Sequence, residues 1–307
     1  MCNHTSNDLN FSKSDSSCVD AVALYGHNST AYSLAKLFSS VGVHVYILSS
    51  NRNEIGSSSN NFTIINNQDD LPYLSSVLIN CQNDLILIKN LINSFPNNYR
   101  QRMAYVECSS FMGHNQIELI YEETKFQYYL CMNLIELEIS TMTRQHFHLI
   151  ASGDKIVFQN LLLQTKIPAK ITFLNQTKTP FDSYYICLLH RYSQAIHLVI
   201  YAEMMAILKA ANPIYPANLQ FLFNWCYIRR PLMRQIILQS SSSSFTFTTI
   251  NDFQLLLECV IDHFYKTNLN ETDNNHLKAL TYKTYQFISN LDMKQKQKPL
   301  YELFTLY

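Results

Sequence analysis

Apolar residues along the first half of the chain fall into two alternating textures. Residues 19–25 form a short, nearly unbroken apolar run of the kind buried strands carry. Behind it, Leu34, Leu37, Phe38 and Val41 recur at helical spacing, and Gly42 stands where a helix would end on a left-handed residue. Residues 43–48 are a second strand-like run, and 77–80 and 104–106 repeat the signature, each with a helical segment behind it. Strand, helix and strand in repetition predict a parallel α/β sheet. Residues 50–70 are rich in Ser and Asn and read as a polar loop. The second half differs. Residues 183–211 contain no Gly or Pro and are apolar nearly all round, which predicts a long helix buried in a core or against a partner chain. Pro213 and Pro216 interrupt it, and helical segments are predicted at about 217–239, 252–266 and 275–291, with the serines at 240–244 as a linker.

Composition narrows the function classes. The 307 residues are enough for one large domain or two ordinary ones, and 47% hydrophobic residues supply a core. Lys+Arg and Asp+Glu both number 23, and no basic block exists to grip a phosphate backbone, so no nucleic acid is expected as a partner. No apolar run reaches the length of a bilayer span, so no membrane association is expected. The eight cysteines, at 2, 18, 81, 108, 131, 187, 226 and 259, form no C-x-x-C pair, which argues against a zinc ribbon or redox motif. The polar start, residues 1–18, reads as a disordered tail without the apolar stretch of a secretory signal. A cytoplasmic protein with reduced thiols is the resulting expectation.

The first strand–helix turn carries the main chemical motif. Gly26-His27-Asn28-Ser29-Thr30-Ala31 matches the dinucleotide fingerprint G-x-G-x-x-G/A at every place but the second glycine, which is Asn28. Gly26 allows the tight turn, Ala31 allows close helix–strand packing, and the helix start favours a pyrophosphate. Asn28 tolerates left-handed geometry but adds bulk where a cofactor would approach. An acid at the end of the second strand holds the ribose of NAD, whereas this chain has Ser49-Ser50-Asn51-Arg52 there. That stretch suits the 2′-phosphate of NADP, and equally a solvated loop. His146 and His148 share a strand face, but no third ligand follows by spacing, so no metal is expected. Trp225 reads as a core or interface residue, and Arg229, Arg230 and Arg234 as a solvated basic cluster.

In order along residues 19–305, these features resemble the 3-hydroxyisobutyrate dehydrogenase family, which groups with 6-phosphogluconate dehydrogenases and imine reductases. The sequence Val106-Glu107-Cys108-Ser109-Ser110 is similar to the family's strand-end I-D-S-S-T, and 147–153 to its L-T-F-M-V-G-G strand. Tyr201-Ala202-Glu203-Met204-Met205 resembles the A-E-A-M of its long helix, and Thr249-Ile250-Asn251-Asp252-Phe253 falls at its A-K-D-L. The resemblance implies an N-terminal Rossmann-type α/β domain at 19–178 and an all-α domain at 179–307, joined by a long interdomain helix and dimerising through the helical part. It also implies a dinucleotide cofactor, for which Ser49, Ser50, Asn51 and Arg52 favour NADP, and a small-molecule substrate.

The departures from the family bear on the chemistry. The family's catalytic lysine falls at Cys187, the asparagine one turn later at Arg191, and the lysine of K-D-L at Asn251. Residues 132–138 lack the glycines of its D-x-P-V-S-G-G substrate loop. Reducing a ketone needs a proton or positive charge at oxygen, which a thiol supplies poorly. An iminium already carries that charge. The candidate catalytic residues are therefore Cys187, Tyr185, His190 and Ser109. The candidate cofactor-binding residues are 26–31 and 49–52 in full, with Asn80, Cys81 and Asn251. Two functions follow: an NADP-dependent oxidoreductase with a rebuilt site, or a catalytically inactive relative kept as a binding or scaffold module. The bland reading of Tyr185 and His190, as packing residues on a buried helix, is the stronger one on the sequence alone.

Overall fold

The computed structural model describes residues 19–26, 28–48, 62–110, 112–124, 126–137, 146–174, 179–193, 196, 249–265 and 276–298. The predicted tail, the serine linker, the helix at 217–239, most of the long helix beyond 193, Trp225 and the arginine cluster lie outside them. Among the described residues, eight strands form one sheet: β1 (Ala21–Tyr25), β2 (His44–Leu48), β3 (Phe62–Ile65), β4 (Val77–Asn80), β5 (Ala104–Glu107), β6 (Tyr128–Leu137), β7 (His146–Gly153) and β8 (Lys170–Phe173). Their spatial order is 3-2-1-4-5-6-7-8. The pairs β3–β2, β2–β1, β1–β4, β4–β5, β5–β6 and β7–β8 are parallel. Every residue of β4 and β5 is buried, as a strand covered on both faces requires, which is why these segments read as continuous apolar runs.

The chain leaves β1 outward through β2 and β3, then restarts at β4 on the other side of β1. This reversal places a crevice at the carboxyl ends of β1 and β4, where doubly wound sheets hold their ligands. Helix α1 (Ser29–Ser40) follows β1 directly and buries Leu34, Leu37 and Phe38 in the main core with Val22, Leu24, Val45 and Ile47. Gly42, at φ +86°, ends it as expected, with its N–H on the Ser39 carbonyl. Between β3 and β4 the chain forms one short helix, α2 (Leu71–Leu74). After β4, helix α3 (Leu85–Ser94) buries Ile88, Leu91 and Ile92 and is capped by Asp84, whose carboxylate accepts the Ile86 and Leu87 N–H groups. Helix α4 (Asn97–Arg100) precedes β5, and α5 (His114–Thr124) joins β5 to β6.

One predicted loop is corrected here. Residues 50–70 are not loop throughout: Phe62–Ile65 pairs with β2 in parallel, Val45 beside Phe62 and Leu48 beside Ile65, and Gln68–Asp70 form a single 3₁₀ turn. The run F-T-I-I is β-branched and aromatic, which suits an edge strand, but its polar surroundings disguise it.

The chain divides into two units, one of residues 1–135 and 147–185, the other of residues 136–146 and 186–307. Helix α6 (Lys155–Phe158) continues into a π-helical turn, Gln159–Leu163, and belongs to the first. Helix α7, over 182–193, starts in the first and ends in the second. The second unit also carries α8 (Ile250–Val260), α9 (His276–Ser289) and α10 (Met293–Lys296), with α8 packed on both of the others. A Thr249–Asp252 capping box starts α8, and Phe253, Leu256, Leu257 and Val260 form its buried stripe. The Tyr192 hydroxyl lies 2.8 Å from that of Tyr265 and 2.5 Å from Thr281 Oγ1 inside this unit.

Candidate dinucleotide and active site

The carboxyl ends of β1, β4 and β5 bring together Gly26, Asn28, Ser29, Thr30, Ala31, Asn80, Cys81 and Ser109. Gly26 has φ +128°, and a Cβ there would stand 3.0 Å from the Cys81 carbonyl carbon and 3.1 Å from the Gln82 nitrogen. Both constraints select glycine. The turn therefore presses against the end of β4 and aims the start of α1 at the switch point. Asn28 is the N-cap: its Oδ1 accepts the Ala31 N–H at 3.0 Å, while its Nδ2 donates to the Cys81 carbonyl at 2.5 Å. Ala31 is 1% exposed and packs in the core, the close fit that the motif's third small residue provides. Thr30 Oγ1 lies 3.2 Å from Ser110 Oγ, and the Ser110 N–H donates to Asn83 Oδ1 at 3.0 Å, so α1 is tied to the loops after β4 and β5.

Glu107 stands at the centre of this edge and was missed as a functional candidate in the sequence. It is 1% exposed. Its carboxyl accepts Asn80 Nδ2 at 3.0 and 3.1 Å, the Tyr105 hydroxyl at 2.9 Å and the Ser109 N–H at 2.8 Å. Burial pushes this carboxyl up from its ordinary 4.5, against the pull of the bonds from Ser109, Asn80 and Tyr105. Burial, with the Glu107 charge adding to it, likewise holds the Tyr105 phenol well above its usual range. The amide of Asn80 is used inside the protein, its Oδ1 taking the Gln82 N–H at 3.1 Å. Ser109 Oγ is buried at the same edge, beside the Glu107 carboxyl, whose pKa it helps to hold down. Only the register Asn80 beside Glu107 unites the cluster, and no local sequence pattern encodes that pairing.

The remaining candidates separate. His27 and Ser49 to Arg52 lie outside the described residues. Tyr185 belongs to the first unit, is half-buried, and has its phenol raised by burial and by Glu118, Cys131 and Asp182. Cys187, His190 and Asn251 belong to the second unit; Cys187 is fully buried, His190 is exposed, and Asn251 is half-buried in the first turn of α8. The start of α7 is fixed within the first unit: Ser152 Oγ lies 2.7 Å from the Pro180 carbonyl and accepts the Ser183 N–H at 2.9 Å, and the Ser183 hydroxyl donates to the Cys131 carbonyl at 2.9 Å. The Tyr184 hydroxyl donates to the Met112 carbonyl. His148 lies 2.8 Å from Thr172 Oγ1 across β7 and β8, and burial, aided by Lys170, lowers its pKa. Among the described residues no group of three or more His, Cys, Asp or Glu could hold a metal, and no helix is long and apolar enough to cross a membrane.

A dinucleotide fits this edge on the glycine turn, which brings the α1 start to the switch point and leaves no room for a Cβ against Cys81. No protein-family model matches the chain, and no curated protein matches it in sequence. Solved structures do match in fold. The 3-hydroxyisobutyrate dehydrogenase of Salmonella typhimurium aligns with a TM-score of 0.68 at 12% identity, covering 94% of this chain and 99% of its own. The protein Psf3, in complex with NADP+ and 2-OPP, aligns at 0.64 and 11%, covering 93% and 99%. An imine reductase from Aspergillus terreus, with NADPH4 and dibenz[c,e]azepine, aligns at 0.50 and 11%, covering 95% and 100%. The chain thus has the fold of the 3-hydroxyisobutyrate dehydrogenases and imine reductases, a Rossmann-type α/β domain followed by a helical C-terminal domain.

Proposed function

We propose that the protein is an NADP-dependent oxidoreductase of the β-hydroxyacid dehydrogenase and imine reductase type, acting on a small carbonyl or imine as a cytoplasmic homodimer. The observation that carries this reading is the β1–α1 turn, with left-handed Gly26 pressed on Cys81 at the switch point of a 3-2-1-4-5-6-7-8 sheet. Like folds with bound NADP+ or NADPH4 support the choice of cofactor, and Ser49, Ser50, Asn51 and Arg52 supply hydroxyls and a cation for a 2′-phosphate. When bound, NADP(H) would supply the two-electron chemistry, so the protein has to bind, orient and provide protons. In this reading the α1 start holds the phosphates, and Cys81 and Ser109 line the same edge.

The substrate side lacks a cation at Cys187. A ketone would need charge stabilisation there, whereas an iminium brings its own charge, and this favours imine reduction. Burial raises the Tyr185 phenol and makes it a weaker acid, so in this reading it donates a hydrogen bond to the substrate nitrogen rather than acting as a base.

A second reading, an inactive dehydrogenase-like binding module, draws on the same Cys187 and on the Asn28 side chain over the α1 start. Titration of NADPH and NADH into the purified protein by calorimetry separates the two. Micromolar NADPH binding with weaker NADH is the expected result. Silence with both at millimolar concentration would overturn the oxidoreductase and leave the binding module.

A further inference from the structure

We infer that Asn28 limits phosphate affinity at this site, its side chain taking up inside the protein the hydrogen bonds that a phosphate would otherwise make at the start of α1. The inference rests on the reading of this turn as a dinucleotide cradle. Asn28 Oδ1 accepts the Ala31 N–H at 3.0 Å, which satisfies one of the helix-terminal donors that attract an anion. Its Nδ2 reaches across the switch point to the Cys81 carbonyl at 2.5 Å and bridges a sequence separation of 53 residues. The side chain is therefore pinned at both ends, over the crevice between β1 and β4, by partners that belong to the frame. A phosphate arriving there has to displace Asn28 from both partners or bind with one donor fewer.

The rest of the cradle is built. Gly26 has its left-handed turn, Ala31 its close packing, and Thr30 its link to Ser110 at 3.2 Å. Asn28 alone departs from the fingerprint among these positions, and it is also the residue whose side chain closes the turn. A glycine at 28 frees the Ala31 donor and leaves the backbone open to the ligand.

The test is calorimetric titration of inorganic pyrophosphate and of NADPH into the full chain, as wild type, Asn28→Gly and Asn28→Ala, with circular dichroism to verify folding. One charge-assisted hydrogen bond regained corresponds to about ten-fold tighter binding of both ligands by Asn28→Gly, with Asn28→Ala in between. Folded variants that bind pyrophosphate no more tightly than wild type would overturn the inference. If wild type binds NADPH and the variants gain nothing, the dinucleotide reading stands and the Asn28 inference falls. If pyrophosphate binding rises while NADPH binds to none of the three, the inference stands and the dinucleotide reading falls. Should the glycine variant fail to fold, Asn28→Ser keeps a cap acceptor but is shorter toward Cys81, and a smaller gain in pyrophosphate affinity is then expected.

Discussion

A carboxyl buried as deeply as that of Glu107 persists only because both of its oxygens are bonded, to Asn80, Tyr105 and the Ser109 N–H. Those bonds do not fully offset desolvation, and the carboxyl binds its proton more tightly folded than unfolded. In the interval between the ordinary value of 4.5 and the raised folded value, the native state holds more protons than the unfolded chain. The contribution of Glu107 to stability is therefore full below that interval and declines as pH rises through it. Glu107→Gln mimics the protonated form and should remove this part of the decline. Urea midpoints of wild type and variant, measured from pH 4.5 to neutrality, should converge as pH rises, because the wild type loses stability that the variant has no titrating group to lose. Parallel midpoints would mean that Glu107 is not desolvated as described. The level of the variant's curve is a poorer readout than its slope, since a second amide beside Asn80 costs stability at every pH.

At the scale of elements, the joint between β6, β7 and α7 is the most constrained. Gly153 has φ +114°, and a Cβ there would lie 2.6 Å from the Tyr129 carbonyl oxygen, which already accepts the Asp154 N–H. Beside it, Ser152 serves the Pro180 carbonyl and the Ser183 N–H. Gly153→Ala combines backbone strain with a backbone clash and should cost about 2–4 kcal/mol, whereas Ser152→Ala leaves a buried donor and acceptor unpaired and should cost roughly 1–3 kcal/mol. Thermal melts should rank them in that order, and an unchanged Tm in Gly153→Ala would contradict the geometry. How far such joints could be read in the sequence depends on what encodes them. Strands β4 and β5 were legible because strands covered on both faces are rich in apolar residues, and β1 and β2 as short, mainly apolar runs on either side of a helical pattern. Strand β6, with its run Y-Y-L-C-M-N-L-I-E-L, shows no alternation that distinguishes it from a buried helix, and β8 is only four residues long. The fingerprint turn was legible residue by residue, down to the bulk of Asn28. The use of that bulk, a cap on Ala31 and a bridge to Cys81, depends on the end of β4 being next door, which is a property of the sheet order. The Glu107 cluster likewise depends on the register of β4 against β5.

For the molecule as a whole, chain chemistry bears most directly on assembly. The sequence from 183 to 211 is apolar nearly all round, and a helix of that kind needs cover on more than one side. In its described part, α7 buries Tyr184, Cys187, Leu188 and Tyr192 along one stripe, yet leaves Ile186 at 42% and Leu189 at 47% exposure. Three residues apart, these two side chains lie on one helix face. Single exposed apolar residues are ordinary, but a neighbouring pair on a helix already apolar elsewhere is what a partner chain would cover. The proposed homodimer accounts for that face with no other protein required. Light scattering of the wild type should then give twice the chain mass of 35.7 kDa. Ile186→Lys with Leu189→Lys places two charges where the dimer would need a dry contact, and should yield monomers of unchanged helical content. A wild type that runs as a monomer at micromolar concentration would end the homodimer proposal. A double variant that still dimerises would move the interface off this face of α7, while a fold lost with the dimer would mean that the helical unit depends on its partner for its own core.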